Sequence, residues 1–365
     1  MKIAVISLIR RGGMVHFHAE LVNSLSRIIP TMAIISDVTP SSYYLPEIPR
    51  LLVHTGQGGA FGTFINGINP LSWYRLYKTL QAAQADLFHV VSSHAWNPLL
   101  GVLVKLLKRP LIFTMHDPVP HTGGPIYLRM SDAVFSKLSD AIVVLSRLGK
   151  EQLLIRGMDQ AQVFYIPLGI YSFFAQKRSR QARQEKVILF FGRIEPYKGL
   201  DLLIKAFKKI ANLLPDWKLV IAGNGDVSPY FPDIHHPQIE VINRYIPDNE
   251  VSSLMERSCF VVLPYTEATQ SGVLPIAYAL ARPVIAADVG SLKEMVIHER
   301  TGLLIPPNDV EELAVAMKKL ATDSLLCSQM GRYAYEMSLD ELSWEKIAQQ
   351  YIAMYSNVLE TYLKN

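Results

Sequence analysis

The sequence predicts an α/β protein made of two doubly wound domains in tandem, each a parallel sheet with helices on both faces. Three observations predict it. Its strand-like segments, such as "KIAVISLI" and "CFVVLPY", are continuous apolar runs rather than alternating ones, as expected of strands buried on both sides. Stretches of helical spacing stand between them. The alternation stops once, at the charged segment Ala175–Lys186, "AQKRSRQARQEK", and then restarts, which marks an exposed linker.

The first domain, residues 1–176, opens with the strand "KIAVISLI", the helix "VHFHAELVNSLSRI" and the strand "TMAIISD"; "DLFHVVSS", "RPLIFTMHD" and "DAIVVLS" are its later strands. The second, residues 183–343, opens with the strand "VILFFGRI", the helix "LDLLIKAFKKIANLL" and the strand "WKLVIAG". "IEVINRYI", "CFVVLPY", "PVIAAD" and "GLLIPP" follow as strands with helices between them. From about Val310 the chain reads almost wholly helical. In open sheets of this kind ligands sit beyond the carboxyl ends of the strands, so function is expected at the strand-to-helix turns.

Half of the 365 residues are hydrophobic and 19% are charged, a globular composition long enough for two cores. Cys259 and Cys327 make no CxxC and no His/Cys cluster, which suits a reducing cytoplasm and argues against zinc. The N-terminal apolar run precedes Arg10 and Arg11 and has no small-residue cleavage site, so a strand is expected there rather than a leader peptide. No apolar run reaches the ~18 residues of a membrane span. Net charge is +4 but unevenly spread: residues 1–180 hold 18 Lys/Arg against 9 Asp/Glu, and residues 181–365 hold 18 against 23. A basic first half suits an anionic acceptor or an anionic membrane surface, or is an ordinary scatter of surface lysines. Nucleic acid is not expected, because no base-stacking module or DNA-binding motif occurs.

Four turns carry candidate chemistry. In "RRGGMVHFHAEL", Gly12 and Gly13 follow the first strand and open a helix; lacking Cβ atoms, they let backbone approach an anion, or they serve as a tight turn. The spacing is not GxGxxG, so a nicotinamide site lacks its fingerprint. In "FTMHDPVPH", His116 ends a strand and can donate to a sugar hydroxyl or steady charge, or cap the loop; His121 is a weaker candidate on the same loop. In "FFGRIEPYKG", Arg193 and Lys198 are two cations on one turn, a planar fork and a mobile point charge suited to a diphosphate, or they belong to a solvated turn. In "PYTEATQSGVLPIAYALA", a polar patch joins a strand to a buried helix. The N–H groups of Ser271, Gly272 and Val273 can bind phosphate there; Ser271 alone reads equally as an N-cap, which leaves Glu267 and Gln270 unaccounted for. Glu294, in "DVGSLKEMV", is a fifth candidate or a solvated helix acid.

Taken in order, "GRIEPYKGLDLLIKAF", "EATQSGVLPIAYALARPVIAADVGSLKEMV" and "HERTGLLIPPND" resemble the group 1 (family 4) retaining glycosyltransferases of the GT-B fold, and "GGMVHFHAEL" and "FTMHDPVPH" resemble elements of that family's acceptor-side domain. The resemblance covers nearly the whole chain and is strongest from Val187 to Asp309. It implies two Rossmann-like domains facing a central cleft: an acceptor-side domain over residues 1–176 and a nucleotide-sugar donor domain over 183–343. It also implies a final helix, residues 344–365, that crosses back to the first domain. Arg193 and Lys198 match the cations that hold the donor diphosphate, Gly12 and Gly13 the glycine turn facing it, and His116 the histidine near the transferred sugar. Ile246, in "NRYIPDNE", stands where backbone meets the nucleotide base, and Glu294 matches the acid of the family's "GGxPE" segment, with Ser291 replacing a glycine. The family's E-x7-E motif is incomplete. Glu267 is its first acid moved by one residue, and Ile276 stands where the second acid, which binds the donor ribose, should be. A branch of the family is similar in carrying "EATQSG" here.

The resemblance implies metal-independent, retaining transfer from a nucleotide sugar, with UDP as the default, to a glycan, lipid-linked or small-molecule acceptor in polysaccharide or glycoconjugate synthesis. His116, Arg193, Lys198 and Glu267 would be its catalytic residues. No D-x-D occurs in the chain, which favours cations over a metal at the leaving group. A cytoplasmic protein is expected, with peripheral contact to an anionic membrane through the basic first domain; the aromatic stretch Phe61–Tyr77 either reaches that surface or packs under a loop. Two other classes stay open: a GT-B epimerase or phosphorylase, and a non-catalytic sugar-nucleotide sensor or subunit.

Overall fold

Strands β1 (Ile3–Ser7), β2 (Thr31–Ser36), β3 (Arg50–Val53), β4 (Leu87–Val90), β5 (Leu111–Met115), β6 (Ala141–Val144) and β7 (Val163–Tyr165) pair in parallel in the order β3-β2-β1-β4-β5-β6-β7. Strands β8 (Val187–Phe191), β9 (Lys218–Gly223), β10 (Ile239–Asn243), β11 (Phe260–Leu263), β12 (Val284–Ala287) and β13 (Gly302–Ile305) make a second parallel sheet, β10-β9-β8-β11-β12-β13. Both are the doubly wound Rossmann order, in which the winding reverses between the first and fourth strands. The fold class predicted from the apolar runs is therefore the one observed. The computed structural model describes residues 1–56, 66–67, 69–118, 126–176, 184–268 and 270–364.

The chain forms two units, Met1–Gly169 with Trp344–Asn365, and Ile170–Ser343. In each, the central strands are buried along their length, because helices cover both faces. Phe88, Phe113 and Phe135 anchor the first core and Phe190, Phe207 and Phe260 the second.

The division falls at Ile170, not at 176. Ile170 N donates to Leu342 O at 3.1 Å, and Ser252 Oγ donates to Phe174 O at 3.0 Å. The short helix Ser172–Gln176 thereby packs on the helices Asp248–Arg257 and Val273–Ala279 of the second unit. Most of the expected linker, residues 177–183, lies outside the described residues.

The last helix, Trp344–Lys364, belongs to the first unit and packs on the helix Gly13–Ser26. The Trp344 indole meets Phe17 edge-on at 5.5 Å and lies so close over Gly169 that a Cβ there would stand 2.6 Å from it. Midway along the helix, the Tyr355 hydroxyl reaches His89 Nδ1 at 2.7 Å, while His89 Nε2 reaches Thr114 Oγ1 at 2.7 Å. These groups are buried and join the helix to β4 and β5. Among the described residues no helix is long and apolar enough to cross a membrane.

Candidate active site

In the second unit the winding reverses between β8 and β11, so the turns after these strands border the crevice where such sheets bind ligands. The turn after β8 runs from Gly192 to the 3-10 turn Pro196–Lys198; the turn after β11 is the polar patch from Pro264 to Gly272. Backbone ties hold the two together. Thr266 N and Thr266 Oγ1 both donate to Tyr197 O, at 2.8 and 3.1 Å. Gly199 has φ +65° and lies against Pro264 O, which a Cβ would approach to 2.0 Å. On the other side Gly290, at φ +52°, lies against Ala268 O, which a Cβ would approach to 1.4 Å. The patch is thus clamped between two left-handed glycine turns that no other residue type can occupy.

Lys198 is the centre of this arrangement. Its side chain is buried, with residue exposure of only 8%. The ammonium lies 5.0 Å over the Tyr265 ring and beside Gly192, where a Cβ would stand 2.9 Å from Nζ and 3.6 Å from Val273 Cγ2. Lys198 and the start of the helix Val273–Ala279 therefore converge on Gly192. Among the described residues no carboxylate lies within ion-pair reach of this ammonium. The Tyr265 hydroxyl beside it is buried and also lacks a hydrogen-bond partner among the described residues.

The other expected residues are placed as follows. Arg193 is on the same turn but points outward, 72% exposed, with Nη1 3.6 Å from Glu195 Oε1; the two cations do not converge. Ser271 is buried and its Oγ accepts a long 3.4 Å bond from Val273 N, while Gly272 occupies the N-cap position. Gln270 is buried beside it, and Glu267 is exposed between the anchored Thr266 and Ala268. Thr269 lies outside the described residues. Ile246 is buried just after β10, at the edge of the sheet. Glu294 is exposed on the turn Leu292–Met295. Ile276 is buried in the helix Val273–Ala279, an apolar side chain where an acid would serve the ribose.

The first unit reverses its winding between β1 and β4, and Ser7 Oγ and Ser92 Oγ meet there at 3.3 Å. Gly12, at φ +96°, is the N-cap of the helix Gly13–Ser26 and has open space where a Cβ would stand. Arg10 donates from Nε and Nη2 to Thr55 Oγ1. After β5, His116 is a quarter exposed, with Nδ1 3.3 Å from Asp117 Oδ1. His121 lies outside the described residues.

Sequence reasoning missed three groups of the first unit, Ser93, His94 and Asp132, the last within reach of the Asp117 charge. Ser93 Oγ donates to Asp132 Oδ2 at 2.6 Å. Burial pushes the Asp132 carboxyl up to about 6, against the lowering by Ser93 and with a further rise from the Asp117 charge. His94 is held down to about 4 by burial and by the Arg10 charge, and its Nδ1 accepts from Trp96 N at 3.2 Å. Position at the end of β4, the strand beside the reversal, was the signal available for Ser93 and His94. Asp132 had none, being one acid on a helix. Tyr265 was legible as the residue that follows β11 into the patch.

Two family models match, glycosyl transferases group 1 over residues 185–323 and glycosyltransferase family 4 over residues 11–171. An uncharacterised glycosyltransferase of Methanocaldococcus jannaschii is 30% identical over 75% of this chain and 76% of its own. The D-inositol 3-phosphate glycosyltransferase of Kribbella flavida is 27% identical over 96% and 92%. Among solved structures, Anabaena HepE in complex with UDP and glucose superposes with a TM-score of 0.76 at 18% identity, over 98% of this chain and 99% of that one.

Proposed function

The chain belongs to the group 1, family 4 glycosyltransferases, and from that premise we propose that it moves a hexose from a nucleotide-sugar donor to an acceptor hydroxyl with retention of anomeric configuration. The donor is a UDP-sugar and the acceptor a glycan or lipid-linked sugar. The observation that carries the reading is the buried Lys198 ammonium beside Gly192, without a carboxylate in reach among the described residues. Burying an unpaired charge is unfavourable by several kcal/mol, roughly, and an anionic ligand offsets that. That a protein of this fold is seen with UDP and glucose supports the choice of donor.

In the proposed reaction the bond from the anomeric carbon to the diphosphate oxygen breaks as the acceptor oxygen bonds to the same face of that carbon. The acceptor proton passes to the leaving phosphate oxygen, so the products are a glycoside and a nucleoside diphosphate. Lys198 and the N–H groups of Ser271, Gly272 and Val273 stabilise charge building on the diphosphate, joined by Arg193 once its guanidinium turns in from Glu195. Gly12 and Gly13 offer backbone N–H groups to an anionic group of the donor. Glu267 and Gln270 hold sugar hydroxyls, His116 orients the sugar, and the Ile246 backbone and Glu294 contact the remainder of the donor. The ribose is held without an acid at residue 276. No metal takes part, because cations and N–H groups meet the leaving group's charge.

The test is a thermal-shift panel of nucleotides and nucleotide sugars, since a ligand of the native state raises its melting temperature. A rise with UDP and UDP-sugars that Lys198→Ala abolishes supports the reading. No rise with any nucleotide overturns it. Donor turnover without an acceptor, or only with phosphate, assigns an epimerase or a phosphorylase instead.

A further inference from the structure

Three helices on one side of the first unit have an unusual composition. The helices Pro70–Ala83, Asn97–Leu106 and Ile126–Leu138 pack side by side. The last two approach closely at Gly101, where a Cβ would stand 3.0 Å from Leu138 and 3.1 Å from Phe135. Phe135, Leu100 and Val104 face the core. The outward faces are apolar where solvent-exposed helices are normally polar. Leu99, Val102 and Leu106 recur on one exposed face of the middle helix. On the third, Ile126 is 71% exposed and Met130 65%, and Tyr127 and Val134 complete the stripe. Leu71 and Tyr74 extend it onto the first helix, whose Trp73 is instead turned inward against Trp96 at 4.7 Å.

The charges among these apolar groups have one sign. Arg75, Lys78, Lys105, Arg129 and Lys137 lie on the three helices, and exposed Lys108 and Arg109 follow the second. The helices carry one acid, Asp132, and it is turned inward onto Ser93 with Oδ1 buried. The next acid along, Asp140, is held by Lys105 Nζ at 2.6 Å and Leu111 N at 2.7 Å. What remains outward is apolar surface rimmed by cations with no acid among them, the complement of an anionic bilayer: acyl chains below, phosphate head groups around. A soluble protein partner would be met by both signs of charge, as on the second unit's helices, where Lys205 pairs with Asp201 and Arg332 with Glu336.

From this surface we infer that the protein docks on anionic membranes through the outward faces of the helices Asn97–Leu106 and Ile126–Leu138, with Leu71 and Tyr74 at the margin. Seven of the eighteen Lys/Arg in residues 1–180 are thereby assigned to one face. The inference uses the first unit alone and its test reads lipid binding, so it stands or falls apart from the transfer reaction proposed above.

The experiment is flotation of the full chain with phosphatidylcholine vesicles, with and without phosphatidylglycerol, at low and high salt. Binding to the anionic vesicles at low salt, weakened by salt, is expected. Ile126→Gln with Met130→Gln and Val134→Gln lowers the bound fraction at least about tenfold, since each exposed side chain no longer enters the acyl boundary. Arg129→Glu with Lys137→Glu lowers it comparably, each cation near an anionic surface being worth roughly fivefold. These residues are exposed, so unfolding curves of the variants are expected to match the unsubstituted protein. Val315→Gln with Leu325→Gln, exposed apolar positions of the second unit, leaves binding unchanged. No binding at low salt, or equal binding by the triple variant, overturns the inference. So does a dimer in sedimentation that the triple variant dissolves while vesicle binding persists, which makes the face an interface between copies.

Discussion

The Lys198 ammonium occupies the space that a side chain at Gly192 would need: a Cβ at residue 192 would stand 2.9 Å from Nζ. Gly192 also has φ +124°, so the turn both requires a glycine and uses its missing side chain to admit a cation. Gly192→Ala is therefore expected to displace Lys198 and to strain the turn by about 1–3 kcal/mol. The check is nucleotide-induced thermal shift together with melting temperature: the shift with UDP is lost, beyond what the lower melting temperature explains.

The fold is expected to lose stability in mild acid, because three buried histidines stay neutral in it. Burial holds His18 down to about 4; burial, then the His18 charge, holds His89 down to about 3; and His94 is at about 4. Nε2 of His18 donates to Val5 O at 3.0 Å, so its Nδ1 accepts from the Tyr44 hydroxyl at 2.8 Å and the ring is neutral. Below the unfolded value of 6.5 the unfolded chain protonates these rings and the native one does not, so stability falls as pH drops from 6.5 towards 4. Asp132 acts oppositely, because its carboxyl is raised and takes up a proton in the native state first, below about 6. The net is two more protons on the unfolded chain near pH 5, a slope of about 2.7 kcal/mol per pH unit. Urea midpoints from pH 7 to 4.5 measure it; a flat profile contradicts it.

Tyr355→Phe tests how the last helix is held. Removing the hydroxyl leaves the buried His89 Nδ1 without its 2.7 Å partner, a loss of about 1–3 kcal/mol. Equilibrium urea unfolding of the two proteins measures the difference, with the m-value expected to be unchanged.

The leaving-group account predicts that chelation does nothing. Transfer assayed with excess EDTA proceeds at the rate seen with added magnesium, since charge on the diphosphate is met by Lys198 and backbone N–H groups. A rate that collapses with EDTA and returns with a divalent cation contradicts this.

The central strands were legible because burial on both faces leaves an uninterrupted apolar record, as in "VILFF" and "IAVIS". The edge strands β3 and β7 were not, being four and three residues long and partly exposed, so little apolar signal remains. The division at Ile170 was hidden too: Ser172–Gln176 is assigned by what it packs on, and residues near a linker look alike on either side of it. At the site, the candidate turns were visible as strand-to-helix junctions. Their geometry was not, because it depends on close approaches between residues far apart in sequence. Gly199 against Pro264 and Gly290 against Ala268 leave no local pattern. Lys198 and Arg193 read alike as cations on a turn, yet one is buried over Tyr265 and the other paired outward with Glu195.

Lys198→Ala, assayed for sugar transfer from the donor under conditions where the variant melts as the unsubstituted protein does, tests the central claim most directly. A fall in kcat/KM equivalent to about 2–4 kcal/mol, roughly 30- to 1,000-fold, is the result expected if its ammonium stabilises the departing diphosphate. Unchanged kcat/KM in a folded variant would remove Lys198 from the reaction and contradict the account.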